Sequence, residues 1–153
     1  MTVFDKRKAI IRISKLVLGR LLILRNTRNK AVLERKGRRI LAVDDTADNL
    51  LLLQVFLEAE GFEVEVADCG SAALNRFQLC NPDLVLLDVM MPGMNGLEVT
   101  QEIRSNDHTT PILLISAHDK VQVQPGLDAG ANGYIQKPID LSQLLSRIEA
   151  LTA

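Results

Sequence analysis

Tryptophan is absent from this chain of 153 residues and tyrosine occurs once, so aromatics supply only 3% of it. Any core must be aliphatic, and stacking platforms for single-stranded nucleic acid are missing. Cysteine occurs twice, at Cys69 and Cys80. Two are too few for a disulfide framework or a Cys-rich zinc site, and they suit a reducing, cytoplasmic setting. Long hydrophobic runs are lacking as well. The most apolar stretch, residues 10–24, holds 10 apolar residues of 15 and is cut by Arg12, Lys15 and Arg20. Its longest unbroken run, residues 21–24, is far short of the roughly 20 residues that a bilayer span needs. Without a continuous apolar block and a cleavage site, a secretory signal is excluded too. Internal repeats and low-complexity tracts are absent.

What the chain has is 47% apolar and 24% charged residues, a composition that builds a folded core. The net charge of −1 conceals a sharp division. Residues 1–39 carry 13 Lys and Arg against Asp5 and Glu34, a balance of +11, while residues 40–153 carry 5 against 17, a balance of −12. Two unlike parts follow: a basic extension and linker over residues 1–37, and an acidic domain over residues 38–153. At helical spacing Ile10, Ile11, Ile13, Val17, Leu18, Leu21, Leu22 and Leu24 share a broad arc, with Arg12, Lys15 and Gly19 opposite. The expectation is a basic amphipathic helix or a tail. A helix of this kind suits an anionic membrane surface, a partner's groove or its own twin in a dimer. An Arg-rich, acid-poor leader also resembles an organelle transit peptide. The location expected is cytoplasmic, with membrane association only through this helix.

From Ile40 onward, strand and helix signals alternate. Residues 40–43, 84–87 and 112–115 are short, fully apolar runs suited to buried strands. Residues 63–67 alternate like an edge strand, and residues 133–136 form a short fifth one. Leu50, Leu53 and Leu57 recur at helical spacing up to Gly61, a C-terminal cap. Residues 72–79 and 97–104 read as helices, and another ends at Gly130. Asp140 caps the last helix, with Gln143 placed to reach back. Five strands alternating with helices imply an α/β domain, a doubly wound parallel sheet covered on both faces.

In such sheets ligands bind beyond the carboxyl ends of the strands. Asp44 and Asp45 follow the first strand, Asp88 the third, Ser116 ends the fourth, and Lys137 follows the fifth. Three crowded carboxylates repel one another unless a cation neutralises them, and oxygen-only ligands suit the hard ion Mg²⁺. Lys137 supplies a compact charge for a phosphoryl oxygen and Ser116 a hydroxyl donor. With an Asp carboxylate as nucleophile, these are the parts for forming an aspartyl-phosphate.

The stretches Ile40-Leu-Ala-Val-Asp-Asp45, Leu86-Leu-Asp-Val-Met-Met-Pro-Gly-Met-Asn-Gly96, Ser116-Ala117 and Lys137-Pro138 resemble the receiver domain of bacterial two-component response regulators, including chemotaxis-type single-domain members. The resemblance implies a flavodoxin-like, five-stranded sheet of order 2-1-3-4-5. It implies that Asp88 is the phosphoacceptor, and that Asp44, Asp45, Asp88 and the backbone carbonyl of Met90 hold Mg²⁺. Lys137 and Ser116 would act on the phosphoryl group, Ser116 and Tyr134 would switch, and Lys137-Pro138 would be cis. A sensor histidine kinase or a phosphotransfer protein would donate the phosphate, and a downstream protein, unnamed by the sequence, would read the change. The protein would catalyse only its own phosphorylation and dephosphorylation.

Two departures from the family pattern stand out, the basic leader and Pro125. A proline there implies a helix that begins near residue 125 or is broken at it. After the acidic domain the sequence leads us to expect no DNA-binding module, and for the basic leader nucleic acid is the least expected partner, because the −12 domain would repel phosphates. Two alternatives accompany the receiver reading. One is a Mg²⁺-dependent phosphatase with an Asp nucleophile, although Asp44-Asp45-Thr46 departs from the Asp-x-Asp-x-Thr of haloacid-dehalogenase-type enzymes. The other is an interaction scaffold that does not switch.

Overall fold

The computed structural model of the protein describes residues 3–117 and 123–153, with side chains from Leu18 onward. Contacts divide the chain into two compact units after Lys36. In the first, α1 (Val3–Arg35) is a single helix of 33 residues, so of helix and tail the chain adopts helix. Leu18, Leu21, Leu22, Ile23 and Leu24 on it are all exposed. Four consecutive apolar residues at 100° steps reach every side of a helix, so residues 21–24 are apolar all round rather than along one arc.

The second unit, Gly37–Ala153, carries the sheet. Its elements run β1 (Arg39–Val43), α2 (Ala47–Ala59), β2 (Glu63–Ala67), α3 (Gly70–Cys80), β3 (Leu84–Asp88), α4 (Gly96–Asn106), β4 (Ile112–Ser116), α5 (Val123–Asp128), β5 (Gly133–Gln136) and α6 (Leu141–Thr152). The strands lie in the order β2-β1-β3-β4-β5, and every neighbouring pair is parallel. The three central strands are the three apolar runs, buried almost end to end. Only a sheet covered by helices on both faces gives such strands an apolar environment on both sides.

Alternation along the strands sorts the side chains into two layers. Ile40, Ala42, Leu84, Leu86, Leu113 and Ile115 pack with Leu53 and Leu57 of α2 and Leu144 and Ile148 of α6. Leu41, Val43, Val85, Leu87, Ile112 and Leu114 pack with Ala73 of α3 and Val99 and Ile103 of α4. With the apolar positions committed to these layers, the polar residues at the strand ends share one rim.

Local chemistry ends the helices where the site needs loops. Beyond α2, Gly61 takes a φ of +98°, a left-handed conformation that favours glycine. Asn81 closes α3 in the left-handed region, ahead of Pro82. At α6, Asp140 accepts from the backbone N–H groups of Ser142 and Gln143; the reciprocal capping box forms at α4, between Asn95 and Glu98. Helix α5 is short, and Pro125 lies in its first turn, where its missing N–H leaves no intrahelical bond unmade. Arg104 ties α4 to the entrance of β4 and the end of α5, donating to the carbonyls of Gly130 (2.9 Å), Asp107 (3.0 Å) and Thr110 (2.8 Å).

Gly96 lets the start of α4 press against the end of β3. A Cβ there would collide with the Asp88 carbonyl and lie 2.8 Å from the Val89 Cα. Gly96→Ala is therefore expected to lower unfolding stability by about 1–3 kcal/mol, the usual cost of overpacking, measured by urea denaturation. Gly19→Ala, with nothing within 4 Å of the added carbon, is the control and should not lower it.

Candidate functional site

The strand order places β1 between β2 and β3, so successive connections leave β1 on opposite sides. A crevice opens beyond the carboxyl ends of β1 and β3 at this reversal. Asp44 and Asp45 stand directly after β1, and Asp88 is the last residue of β3. One carboxylate oxygen from each lies within 4.8 Å of the others. Asp44 and Asp88 are buried, while Asp45 is exposed.

Lys137 joins the two buried carboxylates. Its Nζ donates to Asp44 Oδ2 and to Asp88 Oδ2, each at 3.2 Å. Its backbone N–H donates to the Ser116 carbonyl at 2.8 Å, and the peptide to Pro138 is cis. Asp88 Oδ1 accepts from the Met90 backbone N–H at 3.1 Å. Asp44 Oδ1 accepts from the Thr46 N–H at 2.8 Å, and Asp44 Oδ2 also accepts from Asn49 Nδ2 at 3.0 Å. Neither Thr46 nor Asn49 was singled out by sequence reasoning. A signal existed for Asn49: it stands in the first turn of α2, the helix that follows Asp44 and Asp45.

The remaining expected residues fall in different surroundings. Ser116 is fully buried at the end of β4, one residue beyond the partner of Asp88 in the ladder. The Met90 side chain is exposed, and its main chain follows Asp88 by two residues. Tyr134 is half-buried on β5 opposite Leu114 and packed against the layer that holds Leu114 and Val99.

Burial lifts the Asp88 carboxyl above its ordinary value, even though the hydrogen bond and charge of Lys137 pull it down; the charge of Asp44 adds to the lift. For Lys137, burial works against the ammonium, but the hydrogen bonds and charges of Asp88 and Asp44 outweigh it and hold the group above the usual lysine value. The site is thus a carboxylate cluster that one ammonium only partly compensates. Its donors are all oxygens and include neither His nor Cys, the set a hard divalent cation takes.

A family model for the response regulator receiver domain matches residues 40–149. Among curated relatives, the DNA-binding response regulator MtrA of Mycobacterium tuberculosis is 41% identical over 113 residues, covering 74% of this chain and 50% of the relative. The response regulator MprA of Mycobacterium leprae is 46% identical over 114 residues, again 74% of this chain and 50% of the relative. The chain spans about half the length of the curated relatives it matches. Among solved structures, the chemotaxis protein CheY4 of Vibrio cholerae aligns with a TM-score of 0.71 at 32% identity, covering 74% of this chain and 98% of that one. The response regulator TrrA of Thermotoga maritima, solved with Mg²⁺ and BeF, aligns with a TM-score of 0.70 at 37% identity, with coverage of 74% and 98%.

These relatives correct one expectation about partners. The sequence pointed to an output with no DNA-binding module, yet MtrA is a DNA-binding response regulator. The physical reason is that a domain's charge bears on its own encounters alone, and this chain spans only about half of the length of MtrA. A membrane or dimer contact through residues 1–37 draws no support from the matches, since the family model begins at residue 40. Among the described residues, no helix is long and apolar enough to cross a membrane.

Because native Asp88 binds its proton more tightly than the unfolded chain does, its ionisation costs stability. That cost is absent below the ordinary Asp range and complete above the raised native value. In metal-free buffer, Asp88→Asn should melt higher than the wild type at pH 7, with the margin narrowing as pH falls to about 4. A margin that does not change with pH would contradict this account of the site.

Proposed function

The chain belongs to the response regulator receiver domain family, and from that premise we propose that Asp88 is its phosphoacceptor, with Asp44, Asp45, Asp88 and the backbone carbonyl of Met90 holding Mg²⁺. The observation that carries this reading is the Lys137 ammonium bridging Asp44 and Asp88 at 3.2 Å to each. One rim then offers a nucleophile, a cation site and a fixed positive charge together. Bound Mg²⁺ would neutralise the cluster and withdraw charge from phosphoryl oxygens.

The transfer we propose is a displacement at phosphorus. A carboxylate oxygen of Asp88 supplies the electron pair of the new P–O bond. The P–N bond of a phosphohistidine on a sensor kinase or phosphotransfer protein breaks, and its electron pair leaves with the imidazole, which takes a proton from water. Lys137 donates to the phosphoryl oxygens, where a charge already in place needs no reorganisation. Ser116 moves its hydroxyl toward the same group, and Tyr134 rotates inward behind it. Water attacking the phosphorus restores the carboxylate and releases phosphate. In this reading the protein turns over no external substrate beyond its phosphodonor.

We locate this exchange in the cytoplasm, in keeping with the free thiols of Cys69 and Cys80. The output lies with DNA, as for MtrA, through surfaces other than the acidic rim. Intact-mass measurement after incubation with acetyl phosphate and Mg²⁺ is expected to show one phosphate adduct. It should be absent in Asp88→Asn and without Mg²⁺, and formed at least about a hundredfold more slowly in Lys137→Ala. An adduct on Asp88→Asn equal to that of the wild type would overturn the assignment.

A further inference from the structure

Asp44 is the most fully tied of the three carboxylates. It receives the Thr46 N–H on Oδ1, and both Asn49 Nδ2 and Lys137 Nζ on Oδ2. Two of these donors differ in kind. Lys137 is shared, since the same ammonium donates to Asp88 Oδ2. Asn49 makes its bond to Asp44 from within α2, at 3.0 Å. A carboxylate only accepts hydrogen bonds, so the nitrogen end of the amide must face Asp44.

We propose that Asn49 is a positioning residue that holds Asp44 in place while Lys137 passes from the carboxylates to the phosphoryl group. This rests on the receiver reading and adds to it how the ammonium becomes free to move. A phosphoryl group on Asp88 brings new acceptor oxygens, and an ammonium that follows them leaves Asp44 Oδ2. The Asp44 side chain is only 4% exposed, so water is poorly placed to replace the lost donor. A donor lost there would loosen the orientation in which Asp44 is to hold Mg²⁺, and so oppose the transfer. With the Asn49 amide already on Oδ2, Asp44 keeps a donor and its orientation throughout.

The chemistry of the side chain fits that task. An amide is neutral, so it orients the carboxylate without competing for it as a second cation would. A Lys or Arg at the same place would neutralise Asp44 and weaken its hold on a metal. Asparagine is also an indifferent helix former, and α2 gains little from it in propensity. The half-buried side chain of Asn49 finds its use in the bond across to Asp44.

The test is a Mg²⁺ titration of the whole chain, read as the midpoint of the metal-dependent rise in melting temperature. Asn49→Leu keeps the branching and the number of side-chain heavy atoms but removes the donor; it should raise the midpoint about fivefold and slow Asp88 phosphorylation by acetyl phosphate by a similar factor. Asn49→Gln, which retains the amide, should stay within about twofold of the wild type. A purely structural Asn49 would instead lower the metal-free melting temperature and leave the Mg²⁺ midpoint unmoved, overturning the proposal. A second measurement needs no variant. In the wild type, the Asn49 side-chain amide resonance should remain displaced from that of a free amide both before and after Mg²⁺ and beryllofluoride are added. Collapse to the free position on addition would refute the hand-over. Wild-type protein that takes no phosphate on Asp88 would overturn the receiver reading itself, an outcome separate from any difference between the Asn49 variants.

Discussion

Three carboxylates crowded at one rim set the terms for the rest of this protein. At separations near 5 Å, and with an effective dielectric of about 20, each pair of full charges repels by about 3 kcal/mol. A cluster like that survives only on a frame that has stability to spare and a cation to hand. The Lys137 ammonium, shared between Asp44 and Asp88, is the cation the chain supplies for itself. Since one positive charge does not balance three negative ones, the site keeps an appetite for further positive charge. The same imbalance leaves Asp88 short of a satisfied ion pair, in keeping with the phosphoacceptor role proposed for it.

The frame meets that demand by keeping polar and apolar work apart. Positions within β1, β3 and β4 face helices on both sides and are filled by Ile, Leu, Val and Ala. Polar groups enter where each strand leaves the core. Parallel pairing points all five strand ends the same way, so residues distant in sequence meet without any distortion of the sheet. The close approach at Gly96 seats the start of α4 against the end of β3 beside Asp88, while Arg104 ties the other end of α4 to the entrance of β4. Asn49 belongs to the same economy, a neutral group that orients a charged one.

The family match, residues 40–149, lies within the acidic unit, and the relatives change how its charge should be read. A balance of −12 argued against phosphate contacts, and it does so only for the surface that bears it. The DNA-binding response regulators among the relatives show that such a receiver can belong to a regulator of DNA. The long basic helix α1 forms its own compact unit, outside the span of the family match.

Much of this could be read along the chain. The three apolar runs marked the central strands because a strand covered on both faces has no polar position to spare, and Asp44, Asp45, Asp88, Ser116 and Lys137 stood out because they ended or followed such runs. The helix end at Gly61 was legible because a left-handed residue has few substitutes. What the chain could not display was which atoms meet. That Lys137 bridges Asp44 and Asp88, while the Tyr134 ring packs on the second core layer, depends on strand order and side-chain reach. The capping box formed at Asn95 rather than Asp140 for the same reason: a cap needs geometry as well as residue type. Asn49 escaped notice because an asparagine early in a helix looks like any other until folding brings Asp44 within 3.0 Å of it. Periodicity and residue chemistry are local and therefore written in the sequence; pairwise contacts between distant residues are decided only when the sheet closes its ladder and the rim is assembled.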